Sequence, residues 1–265
     1  MPTGERRNLI LSYVDPAAYQ TQTQYMGATI GRYANRIRIK DGVQLHGGPD
    51  GFDRRVWQAN QLTEQSVEFT LISVDGDQGF SGELVASVRY TLGNDFSIRI
   101  DWEASCSKAC PVGLTNHVYF NLDGSDHVLG HRLKVNADYY LPVDTAGLPT
   151  GGLQGVGMTD FDLREPRKLK NTIRYDHAFA LNDILAAELT SDDGRVHMQL
   201  FTDQSALQVY TGNSLSPAHA GIALEPEYLP DSPNQPVQEP YWPNCIIEPN
   251  ERWHRFMECR FITKR

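Results

Sequence analysis

Residues 83–104 read ELVASVRYTLGNDFSIRIDWEA, and this stretch decides the fold class. With period two, Leu84, Ala86, Val88, Tyr90 and Leu92 share one side of the first run, and Val85, Ser87, Arg89 and Thr91 the other. The second run repeats the pattern with Phe96, Ile98, Ile100, Trp102 and Ala104. Successive side chains of a strand point to opposite faces, so each run reads as a strand with one face in a core. The Gly93-Asn94-Asp95 segment between them reads as a hairpin turn. A helix would need apolar residues every third or fourth position, and none of that period is present here.

The same pattern recurs along the chain in VEFTLISV (67–74), HRLKVNADYY (131–140), RVHMQLFT (195–202), ALQVYTG (206–212) and CRFIT (259–263). Gly- and Pro-rich turns such as DGDQGFSG and LPTGGLQGVG separate the runs. Helical signal is confined to DPAAYQTQTQY (15–25), a turn or two with Asp15 as cap and Pro16 in the first turn. Half-buried strands with regular turn signals predict an all-β chain, a large antiparallel sandwich or barrel with few short helices. No linker, charge block, low-complexity stretch or internal repeat divides the sequence, so residues 1–265 read as a single domain.

Bulk composition excludes several function classes. The 33 acidic and 24 basic residues leave a formal charge of −9, which disfavours a nucleic-acid partner or an anionic membrane surface. No apolar run approaches the roughly 20 residues that a membrane helix needs. The N-terminal MPTGERRNLILSY has too short an apolar stretch for a secretory signal. Cys106, Cys110, Cys245 and Cys259 form no C-x-x-C pair, and the eight histidines no H-x-H or H-E-x-x-H, so no metal motif is announced. Four free thiols in a reducing cytoplasm are expected.

Function is carried by polar residues that sit oddly for a structural strand. In LTNHVYFNL (114–122), Leu114, Val118, Phe120 and Leu122 fall on one face with Asn116, and Thr115, His117, Tyr119 and Asn121 on the other. A His-Tyr pair on the far side of a core strand suits a groove for a polar ring-shaped ligand, with His able to carry a proton near neutral pH. It equally suits an ordinary polar face. In GIALEPEYLPDSPNQP (221–236), Ile222 and Leu224 point one way and Ala223 and Glu225 the other, and Pro226 keeps Glu225 extended at the end of its strand. Asn35 and Arg36 of GRYANRI, His46 beside Gly47 and Gly48, Asp176 of YDHAF, and Gln208 complete the set. Carboxylates, amides and Arg bind hydroxyls, and an aromatic face covers a sugar ring, so the inventory suits a neutral polyhydroxylated ligand.

The blocks GRYANRI, LHGGPDGFD, TNHVYFNL, DHAF, LQVYTGN and LEPEYLPDSPNQP, in this order from about residue 25 to 240, resemble the aldose 1-epimerase (galactose mutarotase) family. The resemblance implies a galactose mutarotase-like supersandwich that interconverts the α and β anomers of a free aldohexose without a cofactor or a metal. It implies a carboxylate base that takes the C1 hydroxyl proton while a His acid protonates the ring oxygen. The ring opens, C1–C2 rotates, and the ring recloses. By motif position Glu225 is the base and His117 the acid, protonated while Glu225 is ionised. Asn35, Arg36, His46, Asp176 and Gln208 are implied to bind hydroxyls and Tyr119 to line the site. The implied partner is a monosaccharide, and the enzyme a monomer or homodimer.

Two alternatives remain beside it: a glycoside hydrolase using Asp176 and Glu225, and a non-catalytic carbohydrate-binding module. The chain also departs from the family's pattern. Further strands usually precede a GERRNLIL-like segment, and the intervals between ANRI and LHGG, before DHAF and after TGN are short here. The resemblance thus implies a compact variant, or one without N-terminal strands or some loop residues. Glu227 stands where many members have Gln.

Overall fold

The computed structural model describes residues 6–263, so the first five residues of the N-terminal segment lie outside it. Two large antiparallel sheets carry the fold. The wider has nine strands in the order Arg167–Lys168, Arg132–Val135, Leu185–Thr190, Val196–Thr202, Trp253–Thr263, Ser97–Cys106, Leu84–Leu92, Ser66–Ser73, Gln58–Thr63. The narrower has six, in the order Tyr119–Phe120, Ile222–Glu227, Ala206–Tyr210, Asp176–Ala180, Tyr139–Tyr140, Gln154–Gly155. Helix is limited to Ala18–Thr21 and three short 3-10 turns among the described residues, and Asp15 Oδ1 accepts from the Ala17 N–H at 2.9 Å ahead of the first.

The 83–104 hairpin explains why the sheets face each other. Leu84 lies opposite Cys106 and Leu92 opposite Ile98, so the two apolar stripes fall on one side. Leu84, Ala86, Val88, Ile100, Trp102 and Ala104 are buried. They join Phe179, Leu207, Val209, Ile222 and Leu224 from the narrower sheet in one cluster, so the core fills the space between the sheets. The reading is corrected at two positions, one on each side of the turn. Leu92, at the end of its strand, is 55 % exposed. Phe96 takes φ +59°, belongs to the loop before Ser97, and is 80 % exposed instead of facing the core.

Three further expectations are corrected, two of them by changes of partner. HRLKVNADYY is two strands, Arg132–Val135 in the wide sheet and Tyr139–Tyr140 in the narrow one, because the chain crosses between sheets at residues 136–138. CRFIT is only the end of an eleven-residue strand that starts at Trp253. LTNHVYFNL is not continuous either. Asn116 pairs with Thr29 and Tyr119 with Ala223, and the chain changes neighbour at His117–Val118.

Leu224 lies wholly in the core, on the strand that carries Glu225 on its other face. Leu224→Ala should cost about 2–5 kcal/mol through lost burial and the cavity left behind. Urea denaturation measures this, and a loss below about 1 kcal/mol would contradict close packing between the sheets.

Candidate active site

The outer face of the narrow sheet is polar because alternation sends every second residue away from the core. Ala223, Glu225 and Glu227 share this face on one strand, with Gln208 and Tyr210 beside them and Asp176 on the next. Glu225 lies opposite Gln208, and Gln208 opposite Ala178. Pro226 pairs with Leu207 inside the strand, which runs on through Glu227; the reading of Glu225 as its last residue is corrected. The neighbour on the other edge reaches only Ile222 and Ala223, so Pro226 meets no ladder there.

Loops from the first fifty residues cover this face. Asn35 and His46 both hold left-handed backbone, at φ +60° and +53°. They are locked together: the His46 N–H donates to the Asn35 carbonyl at 2.8 Å, and the Asn35 N–H donates to His46 Nδ1 at 3.1 Å. Gly47 is required because a Cβ there would lie 1.9 Å from the Gly31 carbonyl oxygen, a close approach of the chain to itself.

The cavity so enclosed is about 300 Å³, at the small end of ligand pockets. Asn35, Arg36, His46, His117, Tyr119, Asp176, Gln208 and Glu225 all line it. A larger cleft of about 630 Å³ lies elsewhere, lined by Ile98, Ile100, Val118, Phe120, Met257 and Phe261 among others. It has no carboxylate or imidazole in its lining, so the proton chemistry belongs to the smaller cavity.

Within the cavity, His117 Nε2 stands 3.5 Å from Glu225 Oε1, and both side chains are almost wholly buried. His117 Nδ1 and Glu225 Oε2 have no hydrogen-bond partner among the described residues. Asp176 accepts from Gln208 Nε2 at 2.6 Å on one oxygen and holds the Arg36 guanidinium at 3.6 Å on the other. Arg36 also donates to Asn35 Oδ1 at 3.1 Å. This chain of contacts fixes amide, guanidinium and carboxylate groups along one wall, a set of donors and acceptors that suits hydroxyl groups. Tyr119 is buried beneath His117, with ring centroids 4.9 Å apart. Burial, then the Glu225 charge, push its phenol up, so it stays a neutral hydroxyl.

Burial acts on both halves of the pair. Burial pushes His117 down to about 4. Burial first, then the Glu227 and Asp176 charges, raise the Glu225 carboxyl well above its usual range. Burial thus disfavours both charged forms, the imidazolium of His117 and the carboxylate of Glu225. His46 is also held neutral, by burial and then by His117. Ligand atoms of His46, His117 and Glu225 lie within 4.8 Å of one another, a spacing that a cation could span. The Asn35 N–H occupies the His46 Nδ1 lone pair, however, so Nε2 carries the proton and points a donor inward. That arrangement fits a hydroxyl acceptor better than a metal ion.

The aldose 1-epimerase family model matches residues 1–260. The chain belongs to the aldose 1-epimerase family. The aldose 1-epimerase of Escherichia coli K12 is 41 % identical over 98 % of this chain and 87 % of its own length. Human galactose mutarotase is 35 % identical over 94 % and 82 %. Among solved structures, the galactose 1-epimerase of Lactobacillus acidophilus superposes with a TM-score of 0.83 at 28 % identity, covering 98 % of this chain and 86 % of that one. The aldose epimerase homologue of C. elegans, at 24 % identity, shares the fold with a TM-score of 0.90 over 99 % and 90 %.

In this aldose 1-epimerase family member six lining residues lie outside the candidate set, Thr23, Gln24, Tyr25, Leu45, Tyr210 and Ser214, and two of them pack on His117. Tyr25 stacks over His117 with centroids 5.7 Å apart and meets the His46 ring edge-on at 4.6 Å. Tyr210, beside Gln208, packs at 6.4 Å from the His117 ring. The alternation of ALQVYTG already put Tyr210 on the polar face, but nothing in the Gln-rich run before Tyr25 marks that residue.

Proposed function

We propose that this chain is an aldose 1-epimerase, an isomerase of free monosaccharides, in which Glu225 and His117 move the two protons of ring opening. The carrying observation is the 3.5 Å approach of His117 Nε2 to Glu225 Oε1 in a cavity walled by amide, guanidinium and carboxylate groups. The C1 hydroxyl oxygen and the ring oxygen are bonded to the same carbon, so acid and base must stand this close to serve both. The resting pair holds the one proton the reaction requires. Its transfer from Glu225 to His117 gives the carboxylate base and the imidazolium acid together. Glu225 then removes the C1 hydroxyl proton as His117 protonates the ring oxygen, and the open aldehyde recloses on either face after rotation. Asn35, Arg36, His46, Asp176 and Gln208 hold hydroxyls during the rotation, and Tyr119 and Tyr25 bound the cavity. Asp176 is engaged on both oxygens, which suits a clamp rather than one half of a glycosidase pair.

We further read the described chain as one catalytic domain, since one buried cluster runs from Tyr33 to Cys259. No helix among the described residues is long and apolar enough to cross a membrane. The four cysteines are buried and unpaired, which supports a reducing compartment such as the cytoplasm.

Polarimetry tests the reading. A freshly dissolved α-aldose should drift to its equilibrium rotation at a rate proportional to protein, while a methyl glycoside is left untouched. Prolonged chelation should leave that rate unchanged, since each proposed step uses only side chains. Glycoside cleavage, or loss of activity on chelation restored by one divalent ion, would contradict it.

A further inference from the structure

Glu227 has no place in the mechanism above, yet it is among the most deeply buried charged residues of the chain, at 1 % exposure beside 2 % for Glu225. The two carboxyls sit at alternate positions of Ile222–Glu227 and so share its outer face. Among the described residues only one hydrogen-bond donor reaches either within ordinary distance, the Asn35 amide, 2.6 Å from Glu227 Oε1. The second oxygen of each is buried and has no partner among them.

The charged and titratable groups around Glu227 do not neutralise it. Glu225 is on its own strand, the Tyr33 phenol is near enough to feel its charge, and Asp176 opposes its ionisation. The Arg36 guanidinium favours that ionisation but makes its direct contacts with Asp176 and Asn35. Two carboxylates ionised together in such a place would repel at low dielectric with a single amide between them.

We propose that Glu227 is a positioning residue acting through Glu225: the two carboxyls titrate as a pair, and the charge on Glu227 delays the ionisation of Glu225. The assignment rests on Glu225 being the base. Asn35 decides the order of proton loss, because its N–H stabilises a charge on Glu227 and leaves Glu225 holding the remaining proton. The direction of the Glu227 shift agrees: burial raises it to about 8 while the Asn35 bond pulls it back. Glu227 thereby sets the pH above which the pair holds only one proton, and keeps Glu225 a reservoir for the proton that His117 must receive.

The sign on stability follows. A carboxyl raised by folding is protonated in the native state and ionised in the unfolded chain between its ordinary value and about 8. The native state binds more protons in that window, so its stability falls as pH rises through it.

The test is a carbon-13 titration of glutamate side-chain carboxyl carbons in wild type, Glu227→Gln and Glu225→Gln, with melting temperatures over the same pH range. Gln keeps an acceptor for Asn35 but cannot ionise. Wild type should show two buried glutamates with midpoints above the ordinary range. In Glu227→Gln one vanishes and the Glu225 midpoint falls by at least one pH unit. The same variant should lose less melting temperature than wild type between pH 6 and 9. An unmoved Glu225 midpoint, or ordinary midpoints for both, would overturn the proposal. If Glu227→Gln does not fold, the two midpoints in wild type still decide it. Full anomerase activity in Glu225→Gln would instead sink the base assignment and leave the titration result standing.

Discussion

Glu225→Gln should slow anomer interconversion by roughly 10²–10⁴-fold with only a modest change in KM. The substitution keeps size and a hydrogen-bonding group on the outer face of Ile222–Glu227 and removes only the ability to take a proton. Gln208 and Asp176 remain bonded to each other, so the hydroxyl clamp is retained and the loss falls on kcat. Stability should not suffer. Glu225 is a buried carboxyl raised well above its usual range, so an uncharged replacement removes a group whose ionisation opposes folding as pH rises. Initial rates by polarimetry, beside a urea melt, check both halves. Activity within a few-fold of wild type would remove Glu225 from the role of base.

His117→Asn should bring a loss of similar size and change the shape of the pH profile. The wild-type rate requires one proton on the pair, and is expected to be bell-shaped. On the acid side a second proton binds, His117 having been pushed down to about 4 by burial. On the alkaline side the last proton leaves a carboxyl held above its usual range. These limbs belong to the pair rather than to either residue, and burial sets them farther apart than unperturbed groups would. Asn cannot supply a proton, so the variant needs only an ionised Glu225. Its residual rate should rise with pH along one limb and show no alkaline fall. Retention of the alkaline limb would mean that another residue is the acid, and His46, whose inward nitrogen carries a proton, would be the one to replace next. The melting temperature gives a separate sign. A histidine held neutral by burial costs stability as pH falls from its ordinary value toward about 4, so His117→Asn should flatten that acid-side loss.

Much of this was legible before any coordinates. Period-two alternation located the central hairpin and most strands, because a half-buried sheet imposes that pattern on any sequence that fills it. The same rule placed His117, Tyr119, Gln208, Tyr210 and Glu225 away from the core. It failed where the chain changes neighbour. The breaks at His117–Val118 and at residues 136–138 leave the hydropathy pattern intact. The first is flanked by buried residues on both sides, and past the second Tyr139 and Tyr140 continue the apolar run although Tyr139 is exposed. Phe96 failed for a different reason, a left-handed turn that carries an apolar residue into solvent. Ionisation was illegible for a third. LTNHVYFNL shows which side His117 takes, but not that loops from residues 25 to 46 close over it and bury it. Tyr25 enters with those loops, and the pairing of Glu225 with Glu227 matters only because both are buried.

The central claim is that Glu225 and His117 are two halves of one proton-transfer device, and a double-mutant comparison tests it most directly. Initial rates of anomer exchange for wild type, Glu225→Gln, His117→Asn and the double variant are measured at the pH of maximal wild-type rate. The account predicts that the double variant is scarcely slower than either single one, because each substitution alone already stops the coupled transfer. Losses that multiply, so that the double variant falls by the product of the two single effects, would show independent groups and contradict it.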